Sequence, residues 1–194
     1  DHEVVEAFVR RVAGEVIRPG DASFDEARTV QNGLIDRRPG LIVRCSGTAD
    51  VVEAVNFARE NELLLSVRGG GHNPAGHCVL DDGLVIDLSQ MRTVEVDPDA
   101  RIARAGGGST WLERKFGFAC DSLLSVDLVT ADGSEVTASA DENPELFWAL
   151  HGAGGNFGVA TKLVFSLHEL PAATLGLLLW PAEAGPEVAR KLTP

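Results

Sequence analysis

The chain has 194 residues, and 29 acidic against 17 basic side chains leave a formal net charge of −12. That length allows one domain, or little more, with a real core, and a hydrophobic share of 44% is that of a globular chain rather than a disordered one. The acidic balance argues against a nucleic-acid partner, which needs a basic footprint. The longest apolar run, Leu175 to Trp180, falls far short of the roughly 20 residues of a membrane span, so no membrane partner is expected. Cys45, Cys78 and Cys120 are far apart and form no CxxC, which gives neither a disulfide framework nor a zinc signature and suits a reducing compartment. The sequence opens at Asp1 without a basic stretch followed by an apolar one, so no secretory signal is expected.

In chain order, Val4, Val5, Phe8, Val9, Val12 and Val16 recur at helical spacing and predict a helix over 2–16, stopped by Pro19-Gly20. Ser23 and Glu26 have capping-box spacing and predict a short helix over 24–31. Strands are expected at 41–45 and 63–67, flanking a helix that follows Thr48-Ala49-Asp50. Beyond residue 80 the texture is β, with strands at 84–88, 93–96, 101–105, 124–130, 134–138 and 159–167. Asp97-Pro98-Asp99 and Ala131-Asp132-Gly133 are turn signals, the second with glycine where φ must be positive. Asn143-Pro144 predicts a helix start, with Asn as N-cap and Pro in the first turn. From the residues alone the chain is one α+β domain, and the stretch after Pro171 begins something else.

Two glycine-rich loops carry the functional signal. Arg68-Gly69-Gly70-Gly71-His72 leaves an apolar strand directly, and Gly152 to Gly158 lies between a helix and a strand. A loop without Cβ atoms lets backbone N–H groups approach an anion closely, and such nests hold phosphate without lysine; the plain alternative is that these glycines only make turns. Gly152 and Gly154 begin a G-x-G-x-x-G pattern, but the sixth position is Phe157 and a strand follows, so a Rossmann loop is excluded. No Walker loop, nucleophile elbow or Cys–His nucleophile is present. His72, His77 and Cys78 invite a metal reading that lacks a third well-spaced ligand, so no metal is expected. His151 reads either as a loop anchor or as a site residue.

The string Ser66 to Gly76, with Gly83-Leu84-Val85-Ile86-Asp87-Leu88-Ser89, closely resembles the FAD-binding domain of the vanillyl-alcohol-oxidase (PCMH) type, in particular the berberine-bridge-enzyme-like FAD-linked oxidases of bacteria. The resemblance extends from Phe24-Asp25-Glu26-Ala27-Arg28, through Asp132-Gly133 and Asp141 to Leu150, to Gly152-Ala153-Gly154-Gly155-Asn156-Phe157-Gly158-Val159. It implies an α+β fold of two subdomains with FAD extended between them, spanning residues 1–170, and a substrate domain that begins at 171–194 and is largely missing. It implies a covalent bond from His72 to the flavin 8α-methyl carbon. It further implies cofactor contacts from Arg68, Gly69, Gly70, Gly71, Asn73, Gly76 and His77, from Asp121 and Leu123, and from Gly152, Gly155, Asn156, Gly158 and Val159. An imidazole attacks only when neutral, so its other nitrogen needs a partner that sets the tautomer, and the sequence does not identify it.

One departure is internal. After Ala105 to Trp111 the family continues for several tens of residues before a motif like Glu113-Arg114-Lys115-Phe116-Gly117, whereas here Leu112 follows Trp111 at once. The expectation is that these two residues are not neighbours in the native protein. Relatives often take a tyrosine from such regions as base, and this chain has none, so the catalytic base is expected outside it. The function implied is an FAD-dependent oxidase. It would move hydride from an alcohol-type carbon of a sugar or other small hydroxylated compound to covalently bound FAD, with oxygen as reoxidant and a bacterial cytoplasmic location. The alternatives are a non-catalytic flavin- or nucleotide-binding module and, below it, a metal-binding structural domain.

Overall fold

The computed structural model describes residues 2–107, 119–152 and 154–167. The Trp111–Leu112 junction and the boundary near 170 lie outside the described residues.

A first sheet has the order β1-β2-β4-β3, formed by β1 (Glu15–Ile17), β2 (Leu41–Arg44), β3 (Leu65–Arg68) and β4 (Leu84–Asp87). Strands β2, β4 and β3 are parallel, and β1 is antiparallel to β2 at one edge. Both faces of this sheet are covered, which is why β2 and β4 are near-continuous apolar runs rather than alternating ones. On one face Leu41, Val43, Leu84 and Ile86 pack against Val51, Ala54, Val55 and Phe57 of helix α3 (Thr48–Glu60). Phe8 of helix α1 (His2–Val9) stacks on Phe57 there, with ring centroids 4.1 Å apart. On the other face Ile42 and Val85 meet Phe24 and Ala27 of helix α2 (Phe24–Arg28), together with Val30, Cys78 and Val79.

The second sheet, of order β5-β6-β9-β7-β8, is antiparallel throughout. It comprises β5 (Val94–Asp97), β6 (Ile102–Gly106), β7 (Leu123–Val129), β8 (Glu135–Ser139) and β9 (Val159–Ser166), and helix α4 (Pro144–Leu150) packs on it through Leu146, Phe147 and Leu150. The two sheets share one core, because Val129 of β7 and Val159 of β9 join the cluster built on α3. The β7–β8 turn has Gly133 at φ +83°, where a Cβ would also lie 2.2 Å from Asn56 Oδ1 on α3. Glycine is required there twice over.

Three local expectations are corrected. The predicted helix over 2–16 ends at Val9, and Glu15–Ile17 is a strand. A Cβ on Gly14 would lie 2.1 Å from Arg44 O, so the chain passes β2 too closely for a helix to continue. Val12 and Val16 still reach the core, because their spacing satisfies either geometry. Ser23 does not cap α2: it sits at φ −84°, ψ −6°, with no side-chain cap bond, and the helix stops at Arg28. Asn143 precedes α4 in the left-handed region at φ 50°, and its Nδ2 donates to Thr137 O instead of its side chain capping the helix. Among the described residues no helix is long and apolar enough to cross a membrane.

Asp50, at 2% exposure, ties the N-terminal turn to the β2–α3 loop. Its carboxylate accepts from Ala13 N at 2.8 Å, Gly14 N at 3.0 Å, Ser46 N at 2.8 Å and Ser46 Oγ at 2.7 Å. Burial pushes this carboxyl up, but the bonds from Ser46, Ala13 and Gly14 outweigh it and hold the group below the usual carboxylate range. Nearby Cys45 is pushed up to about 12, by burial and then by Asp50 and Asp87, so it is an inert thiol. Asp50→Ala is expected to lose about 3 kcal/mol in denaturant unfolding at neutral pH, because four partly buried hydrogen bonds to one buried carboxylate are lost together. The native carboxyl is the stronger acid, so its contribution is complete above about pH 4 and is lost as pH falls further; the stability gap between wild type and Asp50→Ala closes in acid.

Candidate functional site: a donor loop at the end of the parallel sheet

Open α/β sheets bind ligands at the carboxyl ends of their parallel strands. Here those ends present Ser46 after β2, Gly69 to His72 after β3 and Ser89-Gln90 after β4. The backbone N–H groups of Gly69, Gly70, Gly71, His72 and Asn73 donate to no acceptor among the described residues. Five successive donors are thus open among the described residues, with Gly71 turned to φ +71°, an arrangement that could take an anion.

The segment from Ala27 to Asn32 holds this loop. Arg68 Nη1 donates to Ala27 O. Gln31 N donates to Gly71 O at 3.2 Å, and Asn32 Nδ2 donates to Pro74 O at 2.9 Å. His72 is exposed, and its Nδ1 lies 2.7 Å from Gln31 Oε1. Beneath the loop, Arg68 Nε and Ser66 Oγ are buried without partners among the described residues. The guanidinium lies against Gly71, whose Cβ would be 3.5 Å from Nε.

The remaining positions implied by the resemblance divide. Asn73 Oδ1 accepts from His77 N at 3.3 Å, so this side chain shapes the loop, while the exposed His77 ring makes no hydrogen bond among the described residues. Gly76 is buried at φ +74°, and a Cβ there would meet Ile35 at 2.9 Å, so its glycine serves packing. Asp121 is exposed in the 3-10 turn Ala119–Ser122, and Leu123 packs into the small core under α4. Val159 is a core residue. Gly158 passes Val129 O so closely that a Cβ would sit 2.4 Å from it. Gly152 and Gly155 have open space where a Cβ would go, and Gly155 has an ordinary φ of −79°, so the protein itself does not demand glycine at 155. No hydrogen bond joins the two glycine loops among the described residues.

His151 is resolved as an anchor: its Nδ1 donates to Phe147 O at 2.7 Å and its ring packs edge-on to Phe147. Cys78 is buried in the core, whereas His72 and His77 are exposed, and no three-residue metal-binding group occurs among the described residues. Sequence reasoning missed Gln31, and it missed a cleft of about 290 Å³ between the sheets, lined by Ser46, Thr48, Gln90, Met91, Arg104 and Lys162. Residues just past parallel strand ends were the available signal for Ser46, Thr48 and Gln90.

A family model described as an FAD binding domain matches residues 39–115. The chain is 38% identical to (R)-6-hydroxynicotine oxidase of Paenarthrobacter nicotinovorans, over 94% of this chain and 47% of that protein. The chain belongs to the FAD-binding domain family of the vanillyl-alcohol-oxidase type. The crystal structure of 6-hydroxy-D-nicotine oxidase from Arthrobacter nicotinovorans superposes with a TM-score of 0.77 at 38% identity, over 82% of this chain and 43% of that one. Xylooligosaccharide oxidase from Myceliophthora thermophila, in complex with xylobiose, gives 0.74 at 26% identity, over 84% of this chain and 42% of that one. The chain thus spans about half the length of these relatives. The hydroxynicotine oxidase alignment runs over 218 positions, more than the 194 residues present here, so that relative carries internal residues this chain lacks.

The glycine geometry yields a paired expectation. Gly155→Ala should leave unfolding free energy within about 0.5 kcal/mol of wild type, as substitutions in open space do. Gly158→Ala should cost about 2 kcal/mol or more, because the backbone of β7 must move. Denaturant melts of the two variants check this.

Proposed function

We propose that this chain is the FAD-binding part of an FAD-dependent oxidase in which His72 holds the flavin covalently. The observation that carries the reading is the donor run Gly69–Asn73, unpaired among the described residues, beside the exposed His72 ring that Gln31 contacts. The residues fit the group: the nest would take the pyrophosphate, the orphaned Arg68 Nε adds positive charge beneath it, and Gly152 and Gly155 leave room for a bulky ring system. Asn73, Gly76, His77, Asp121, Leu123, Asn156, Gly158 and Val159 would support these contacts through the loops and strands they shape. Residues 1–170 would form the FAD-binding domain, and 171–194 the start of a substrate domain.

When bound, FAD would supply the hydride acceptor at N5 and the route for electrons to dioxygen. This chain's part is to hold the pyrophosphate, orient the ring and fix it through His72. The substrate we favour is an alcohol-type carbon of a sugar or other small hydroxylated compound, in keeping with the xylooligosaccharide oxidase likeness. A second reading, a small hydroxylated nitrogen heterocycle, draws on the higher identity to the hydroxynicotine oxidase.

Acid precipitation tests the covalent bond. Flavin fluorescence should stay with the pellet in wild type and in His77→Ala, and should leave it in His72→Ala. Pellet fluorescence that survives in His72→Ala would move the attachment elsewhere.

A further inference from the structure

We propose that Gln31 is a positioning residue that selects which imidazole nitrogen of His72 is free to bond the flavin; this rests on the covalent reading above. Gln31 Oε1 lies 2.7 Å from His72 Nδ1. An amide oxygen only accepts, so Nδ1 keeps the proton and the lone pair is on Nε2. The backbone that carries Gln31 is tied to the loop, since its N–H donates to Gly71 O at 3.2 Å and the adjacent Asn32 side chain donates to Pro74 O. The same strand of chain therefore sets both the loop and the ring upon it.

The ring is seated by an absence at Gly70. A Cβ there would lie 2.5 Å from His72 Cδ2 and 2.7 Å from Nε2, so glycine lets the Nε2 edge rest against the backbone of the loop. The neighbouring Asn73 makes a different contact, its Oδ1 accepting from His77 N. Gln31 is 41 positions from His72 in sequence and reaches it only because α2 packs on the outer face of the first sheet.

Attachment would join Nε2 to the flavin 8α carbon, with loss of one 8α C–H proton and of the Nδ1 proton; the C–H electron pair would pass through the flavin ring to dioxygen, which with the two protons would leave as hydrogen peroxide. A ring protonated on Nε2 would instead face the Gln31 oxygen with its Nδ1 lone pair and have no lone pair free on Nε2.

The test mixes flavin-free protein with FAD and follows acid-precipitable fluorescence over time in wild type, Gln31→Met, Gln31→Glu and His72→Ala. Gln31→Met, which removes the acceptor, should slow attachment about tenfold while still retaining noncovalent FAD, the loss of one oriented hydrogen bond. Gln31→Glu keeps an acceptor and should restore the rate to within about threefold of wild type. Two-bond ¹H–¹⁵N correlations on the flavin-free protein should show the His72 proton on Nδ1 in wild type and displaced toward Nε2 in Gln31→Met. Attachment in Gln31→Met at the wild-type rate, or a wild-type His72 protonated on Nε2, overturns the proposal. Absence of acid-stable flavin in wild type, or its survival in His72→Ala, overturns the covalent reading instead, and the proton position still decides the role of Gln31.

Discussion

Five consecutive amides, Gly69 to Asn73, have no acceptor among the described residues where the edge strand β3 ends, and hydrogen bonds with the segment Ala27 to Asn32 hold the loop. Gly70, His72 and Asn73 are exposed, so the loop is open to an acceptor from outside.

The rest of the first sheet serves to aim that loop. Helices α1 and α3 on one face and α2 with its following turn on the other bury both sides of β2 and β4, so the strand ends are fixed in place. Asp50 closes the opposite corner by tying the N-terminal turn to the start of α3 through four donors. The antiparallel sheet joins the same core through Val129 and Val159, and the cleft between the sheets opens beside the strand ends. The likeness to solved FAD-dependent oxidases follows this arrangement of two sheets, not one loop alone.

Much of this was legible in the sequence. Three glycines directly after an apolar strand left no side chains to shield the amides, so the donor loop and its histidine could be read from residue types. Asp132-Gly133 gave its turn because positive φ is a local property of glycine. The N-terminal strand was not legible, since Val12 and Val16 satisfy a helical stripe and a strand equally, and the deciding contact, Gly14 against Arg44 O, is long-range. Ser23 had capping spacing without a capping bond, because the backbone there is already helical. Gln31 was invisible for the same reason as Gly14: its role is created by packing across 41 positions. Gly155 shows the converse, a glycine whose pattern is plain in sequence but which no contact among the described residues explains.

The most direct measurement of the donor loop is residue-resolved hydrogen exchange on the His72→Ala protein, with and without saturating FAD. The account predicts that the amides of Gly69 to Asn73 exchange rapidly in the free protein and become strongly protected together on binding. FAD binding that protects other segments while leaving these amides in rapid exchange would contradict it.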